Sequence, residues 1–69
     1  MIDSIFAKNL KKIRRKQGLS QDELAKLVGI ERKTIIHYET LQNSAKLDTI
    51  EDIATALNIS VLDLLTDRR

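Results

Sequence analysis

Apolar residues recur along the chain at intervals of three and four, and no segment alternates as a half-buried strand requires. Phe6, Leu10 and Ile13 form one such stripe, which predicts a helix over about 4–17 that buries all three. Gly18 follows, the residue type that ends a helix in the left-handed conformation with least strain. Ser20 and Glu23 then stand at capping-box spacing, in which each side chain satisfies an otherwise unpaired backbone N–H. They open a helix over 21–28 whose apolar face is Leu24, Ala25, Leu27 and Val28, with Gly29 at its end. A third helix, 32–40, begins after only Gly29-Ile30-Glu31, so the two helices must cross steeply instead of running antiparallel. Gln42-Asn43-Ser44 reads as a loop. Ile50, Ile53, Ala54 and Leu57 predict a helix over 48–57 capped by Asn58, and Ser60 with Asp63 opens a fifth over about 61–66, carrying Val61, Leu64 and Leu65. The expected fold is all-α, five helices in a single helix-turn-helix domain over residues 1–69.

Composition narrows the function. A chain of 69 residues cannot enclose two apolar cores, and 42% hydrophobic with 32% charged residues indicates folding, not disorder. The absence of Cys excludes disulfides, thiol chemistry and Cys-based zinc sites, so helix packing, with or without a partner subunit, must hold the domain together. No run approaches the roughly 18 apolar residues of a membrane span, and Met1 to Phe6 do not resemble a secretion signal, which leads us to expect a cytoplasmic protein. One His, no Gly-rich phosphate loop and no metal-ligand spacing argue against an enzyme, a metal or a cofactor. The net charge is +2, unevenly spread: residues 1–40 carry nine Lys/Arg against five Asp/Glu, and residues 41–69 three against five. A basic first half suits a nucleic-acid footprint, although a solvated basic helix gives the same count.

Gly18-Leu19-Ser20-Gln21-Asp22-Glu23-Leu24-Ala25, Gly29-Ile30, Thr34-Ile35, Tyr38-Glu39 and the closing Ala56-Leu57-Asn58-Ile59-Ser60 through Leu64-Leu65 together resemble the phage repressor and Cro family of DNA-binding domains. The resemblance runs from Phe6 to Leu65 and implies five helices, a homodimer on a roughly palindromic double-stranded DNA operator, and transcriptional control. Along the third helix Ile35, Tyr38 and the aliphatic edge of Glu39 share one face. Arg32, Lys33, Ile36, His37 and Thr40 share the other, which the resemblance directs into the major groove. Arg and Lys can donate to guanine O6 and N7, His can donate or accept, and Ile can touch a thymine methyl. The bland alternative is a solvated polar face.

Gln21 matches a family position that touches DNA at the start of the second helix, with phosphate favoured over base. Ser20, Thr40, Asn43, Ser44 and Lys46 are further expected backbone contacts, and a solvated loop is the alternative for each. Arg14 and Glu39 match a family ion pair that holds the third helix at its angle. Four departures stand out. Leu41 replaces a Gly, so the third helix is expected to run on with Asn43 as the left-handed cap, and Ala45 replaces a loop Pro. Glu31 stands where the family favours Ser or Thr, helping the helix dipole, repelling phosphate and able to accept from a cytosine amine. Leu62 replaces a polar residue and, beside Val61, suggests the dimer contact, which no further domain after Arg69 would supply.

Two readings follow. The first is a dimeric, sequence-specific transcriptional regulator, a repressor whose activity is set by its dimer equilibrium. The other is an antitoxin-like module that uses the same fold to bind a second protein, with DNA binding secondary.

Overall fold

In the computed structural model, which describes residues 2–40 and 45–67, helices form where the caps require them. α1 spans Ile2–Lys16, α2 Gln21–Val28, α3 Arg32–Glu39, α4 Leu47–Leu57 and α5 Val61–Leu65. The described residues contain no strand. Ser20 Oγ accepts from the Glu23 N–H at 3.0 Å while Glu23 Oε1 accepts from the Ser20 N–H at 2.9 Å, completing the expected capping box. Ser60 and Asp63 repeat it at α5, at 3.3 and 3.0 Å. Gly29, at φ 87°, and Asn58, at φ 57°, take the left-handed caps of α2 and α4, positions at which most side chains are strained.

The boundaries differ from expectation at both ends of the chain's first half. α1 begins at Ile2 instead of Ser4, within the two-residue range over which helix ends fray. α3 does not run on: it stops at Glu39, and Thr40 leaves the helical conformation at φ −106°, ψ 9°. Leu41, Asn43 and Ser44 lie outside the described residues.

The core gathers Leu10, Leu24, Ile35, Ile53, Leu57 and Leu64, all fully buried, with Phe6 set edge-on to Tyr38 at 6.0 Å between ring centroids. Each such aliphatic side chain contributes about 1.5–3 kcal/mol. α1 lies against α3 and α5, α2 against α3 and α4, and α4 against α5. Two polar side chains, Asn9 of α1 and Gln17 just past its end, tie down helix ends elsewhere: Gln17 Nε2 donates to the Leu57 carbonyl at 2.7 Å, and Asn9 Nδ2 donates to those of Leu64 at 3.0 Å and Thr66 at 2.8 Å. Both meet carbonyls that a helix C-terminus leaves without intrahelical partners.

Of the apolar positions expected to face the core, Leu27 is exposed and Ile13, Val28, Val61 and Leu65 are only partly buried. Ile13 is only half-buried, because the inward row of α1 is Phe6, Ala7, Leu10 and Arg14. Leu27 is 58% exposed. Three residues past Leu24 the helix has turned about 300°, which carries Leu27 off the arc formed by Leu24, Ala25 and Val28.

Candidate nucleic-acid interface

α2, the three-residue turn and α3 form a rigid pair because both sides of the turn are fixed. Gly29 and Ile30 donate to the Ala25 carbonyl at 2.8 and 3.0 Å, while Ile35 and Tyr38 pack inward from α3. Arg32, Lys33 and Thr40 are then exposed and Ile36 and His37 half-buried, so the face expected to carry recognition is the face left accessible.

The buried anchor of α3 is ionic. Arg14 donates from Nε and Nη2 to the two carboxylate oxygens of Glu39 at 2.7 and 3.0 Å, and from Nη1 to the Leu19 carbonyl at 2.7 Å. Its side chain is 8% exposed and that of Glu39 2%. Gln21 adds a third donor, Nε2 to Glu39 Oε1 at 3.1 Å. The expected Arg14–Glu39 pair is therefore present, and it extends to a residue expected to meet DNA directly. No local pattern signals this link, since Gln21 and Glu39 lie 18 residues apart.

The start of α3 is held differently. Glu31 is its N-cap residue, makes no side-chain cap, and lies 3.7 Å from Lys33 Nζ, both side chains being exposed. The Ile35 N–H reaches the Glu31 carbonyl only at 3.4 Å. At the other end the Thr40 hydroxyl donates to the Ile36 carbonyl at 2.8 Å, which leaves its oxygen as an acceptor and no proton for a phosphate until the hydroxyl rotates. Ser20 Oγ accepts within the capping box and keeps its own proton for an outside acceptor. That box holds the Glu23 carboxyl below its ordinary range, through the hydrogen bond from the Ser20 backbone first and from its side chain second.

Ser20, Gln21 and Arg32 come together around an open cleft of about 380 Å³, shared with Lys11 and Arg15 of α1. The two α1 cations were not among the expected contacts. Their i, i+4 spacing on one helix face was visible in the sequence, but nothing in it tied that face to the start of α2. Lys46 is exposed as the N-cap residue of α4. On α5 Leu62 is 71% exposed, whereas Val61 packs partly against the core. Among the described residues no three His, Cys, Asp or Glu gather to hold a metal, and no helix is long and apolar enough to cross a membrane.

The sequence pattern of the HTH_3 helix-turn-helix family matches residues 10–64. The chain belongs to this helix-turn-helix family. It is similar to the control protein C.SmaI of Serratia marcescens, 38% identical over 65 residues that make up 94% of this chain and 77% of that protein. It is also similar to the cryptic phage CTXphi transcriptional repressor RstR of Vibrio cholerae, 29% identical over 91% of this chain, and to the antitoxin PezA of Streptococcus pneumoniae, 33% identical over 88% of it. The chain spans only 57% of RstR and 39% of PezA. Among solved structures, the restriction-modification controller protein C.AhdI of Aeromonas hydrophila superimposes with a TM-score of 0.86, at 35% identity over 90% of this chain and 94% of that one. A hypothetical transcription factor from Neisseria superimposes with a TM-score of 0.92, at 30% identity over 96% of this chain and 76% of that one. These helix-turn-helix relatives agree with the five-helix, all-α fold expected from the sequence and with its resemblance to phage repressors.

Proposed function

We propose that the protein is a sequence-specific transcriptional regulator, a homodimeric repressor that reads the major groove of an inverted-repeat operator in the cytoplasm. The observation that carries this is the division of α3. Ile35 and Glu39 are buried and anchored, while Arg32 and Lys33 are exposed and Ile36 and His37, half-buried, share their face. A helix with one face locked in the core and the other lined with donors and one methyl-bearing chain is suited to base edges. Family membership and the likeness to the transcriptional repressor RstR and the control protein C.SmaI support the same reading.

In this reading Arg32, Lys33, Ile36 and His37 contact bases. Ser20 and Lys46 contact the backbone, and Gln21 does so from a side chain whose orientation Glu39 sets. The longest dimension of the domain is 27 Å. Successive half-sites on one duplex face lie about 34 Å apart, so one copy reads one half-site and Leu62 of α5 supplies the contact to a second copy. The likeness to PezA covers 39% of that antitoxin and supports a shared fold more than a shared toxin partner.

The test is selection of bound sequences from random duplex DNA by the purified protein and by its Lys33→Ala and His37→Ala variants. An inverted repeat whose preferences relax in the variants supports the reading. Recovery of no motif overturns it in favour of protein binding.

A further inference from the structure

We propose that Lys11 and Arg15 of α1, together with Arg32 of α3, form a phosphate clamp that grips duplex DNA beside the segment α3 reads. The proposal rests on the DNA-binding reading above and widens its footprint to a helix outside the helix-turn-helix pair.

Three cations from two helices converge on the cleft at the start of α2. The ion pairs among the described residues engage Arg14, Lys26 and Lys33, and none engages Lys11, Arg15 or Arg32. Asp22 also borders the cleft, but its carboxylate lies 3.3 Å from Lys26 Nζ and its charge is partly offset there. Like charges gathered without a counter-charge repel, and an anion in the cleft removes the repulsion. Arg14, which forms part of the wall, is not the group that would bind it: its side chain is buried, its charge is paired with Glu39, and three of its five N–H groups already donate within the protein.

The occupant is set by continuity and charge. Ser20 and Gln21 border the same cleft at the amide end of α2, where the helix dipole favours negative charge. Arg32 links the cleft to the recognition face. A phosphate row leaving the groove at α3 therefore passes Lys11 and Arg15. Lys12 and Lys16 belong to the same basic α1 but border a separate cleft with Ile59 and Asp63, away from this path.

That difference supplies the control. Binding of the selected operator is measured against salt for wild type, for Lys11→Ala/Arg15→Ala and for Lys12→Ala/Lys16→Ala, each pair removing two charges from exposed positions. The clamp predicts that only the first double loses about 1.8 from the log–log salt slope, roughly 30-fold in affinity at about 0.15 M salt, with sequence preference unchanged. Equal losses in both doubles would reduce the effect to net charge and overturn the clamp, as would no loss in the first. Wild-type binding with no salt dependence and no motif would remove the regulator reading and the clamp with it.

Discussion

Gln21 opens α2 and Glu39 closes α3, and the Gln21 amide donates to the Glu39 carboxylate at 3.1 Å. With the two bonds from Arg14, three donors meet one carboxylate that is 2% exposed. The geometry also fixes which way the amide faces, since only its NH2 group can point at a carboxylate.

Removing Arg14 leaves that buried charge facing a single neutral donor. Arg14→Ala is expected to destabilise by about 3–5 kcal/mol, because an uncompensated buried charge costs far more than a lost surface pair. A domain with total stability on the order of 5 kcal/mol would then be largely unfolded. Arg14→Met combined with Glu39→Leu is expected to regain most of the loss. Urea denaturation of the single and double variants checks this, and an Arg14→Ala cost below about 1 kcal/mol would mean the pair is acting as an exposed one.

Asn9 clamps the end of α5 through two carbonyls. Asn9→Ala is expected to cost about 1–2 kcal/mol, the range for two modest hydrogen bonds, and Asn9→Asp more, since a carboxylate would face carbonyl oxygens. If the two variants unfolded at the same urea concentration, the clamp would not contribute as described.

The Glu23 carboxyl is held below its ordinary range by the capping box. A depressed folded-state value stabilises above the unfolded value, and that stability is lost as pH falls through the folded value. Glu23→Gln keeps an oxygen for the Ser20 N–H but cannot titrate. Thermal unfolding from about pH 7 down to about pH 3 should show the wild-type advantage shrinking with acidification. Parallel curves would contradict the assignment.

The exposed leucines separate packing from assembly. Leu27→Gln is expected to alter stability by no more than about 0.5 kcal/mol, whereas Leu24→Ala, one turn earlier and fully buried, is expected to cost about 2–5 kcal/mol. Leu62→Glu should leave the monomer folded and shift sedimentation equilibrium to the single-chain mass, with loss of full-operator affinity. An unchanged mass would exclude α5 as the dimer contact.

Local chemistry was readable in the sequence and tertiary chemistry was not. Ser20 with Glu23, Ser60 with Asp63, Gly29 and Asn58 marked helix ends because each acts on backbone within a few residues. The Arg14–Glu39 pair was reached only through resemblance, since nothing local joins residues 25 apart. Asn9 on α1 and Gln17 just past its end read as ordinary polar positions, yet each reaches a carbonyl at least 40 residues away. Leu27 was misplaced because an apolar residue near the edge of a short helix face satisfies the spacing rule without facing inward. At the proposed interface, Arg32 and Lys33 followed from helical periodicity, while the meeting of Lys11, Arg15 and Arg32 depends on how α1 crosses the start of α2.

α3 is gripped at its C-terminal end through a buried carboxylate that takes three donors, while the residue before its N-terminal end, Glu31, is exposed and makes no side-chain cap. It is therefore held like a stylus, gripped at Ile35 in the core and at Glu39 in the ion pair, with Arg32 as the tip beyond both grips. Tolerance to operator variation should be graded accordingly: bases met at the tip can be followed by a change of rotamer in the exposed Arg32 side chain, while those met by half-buried His37, set between the two grips, must match without adjustment.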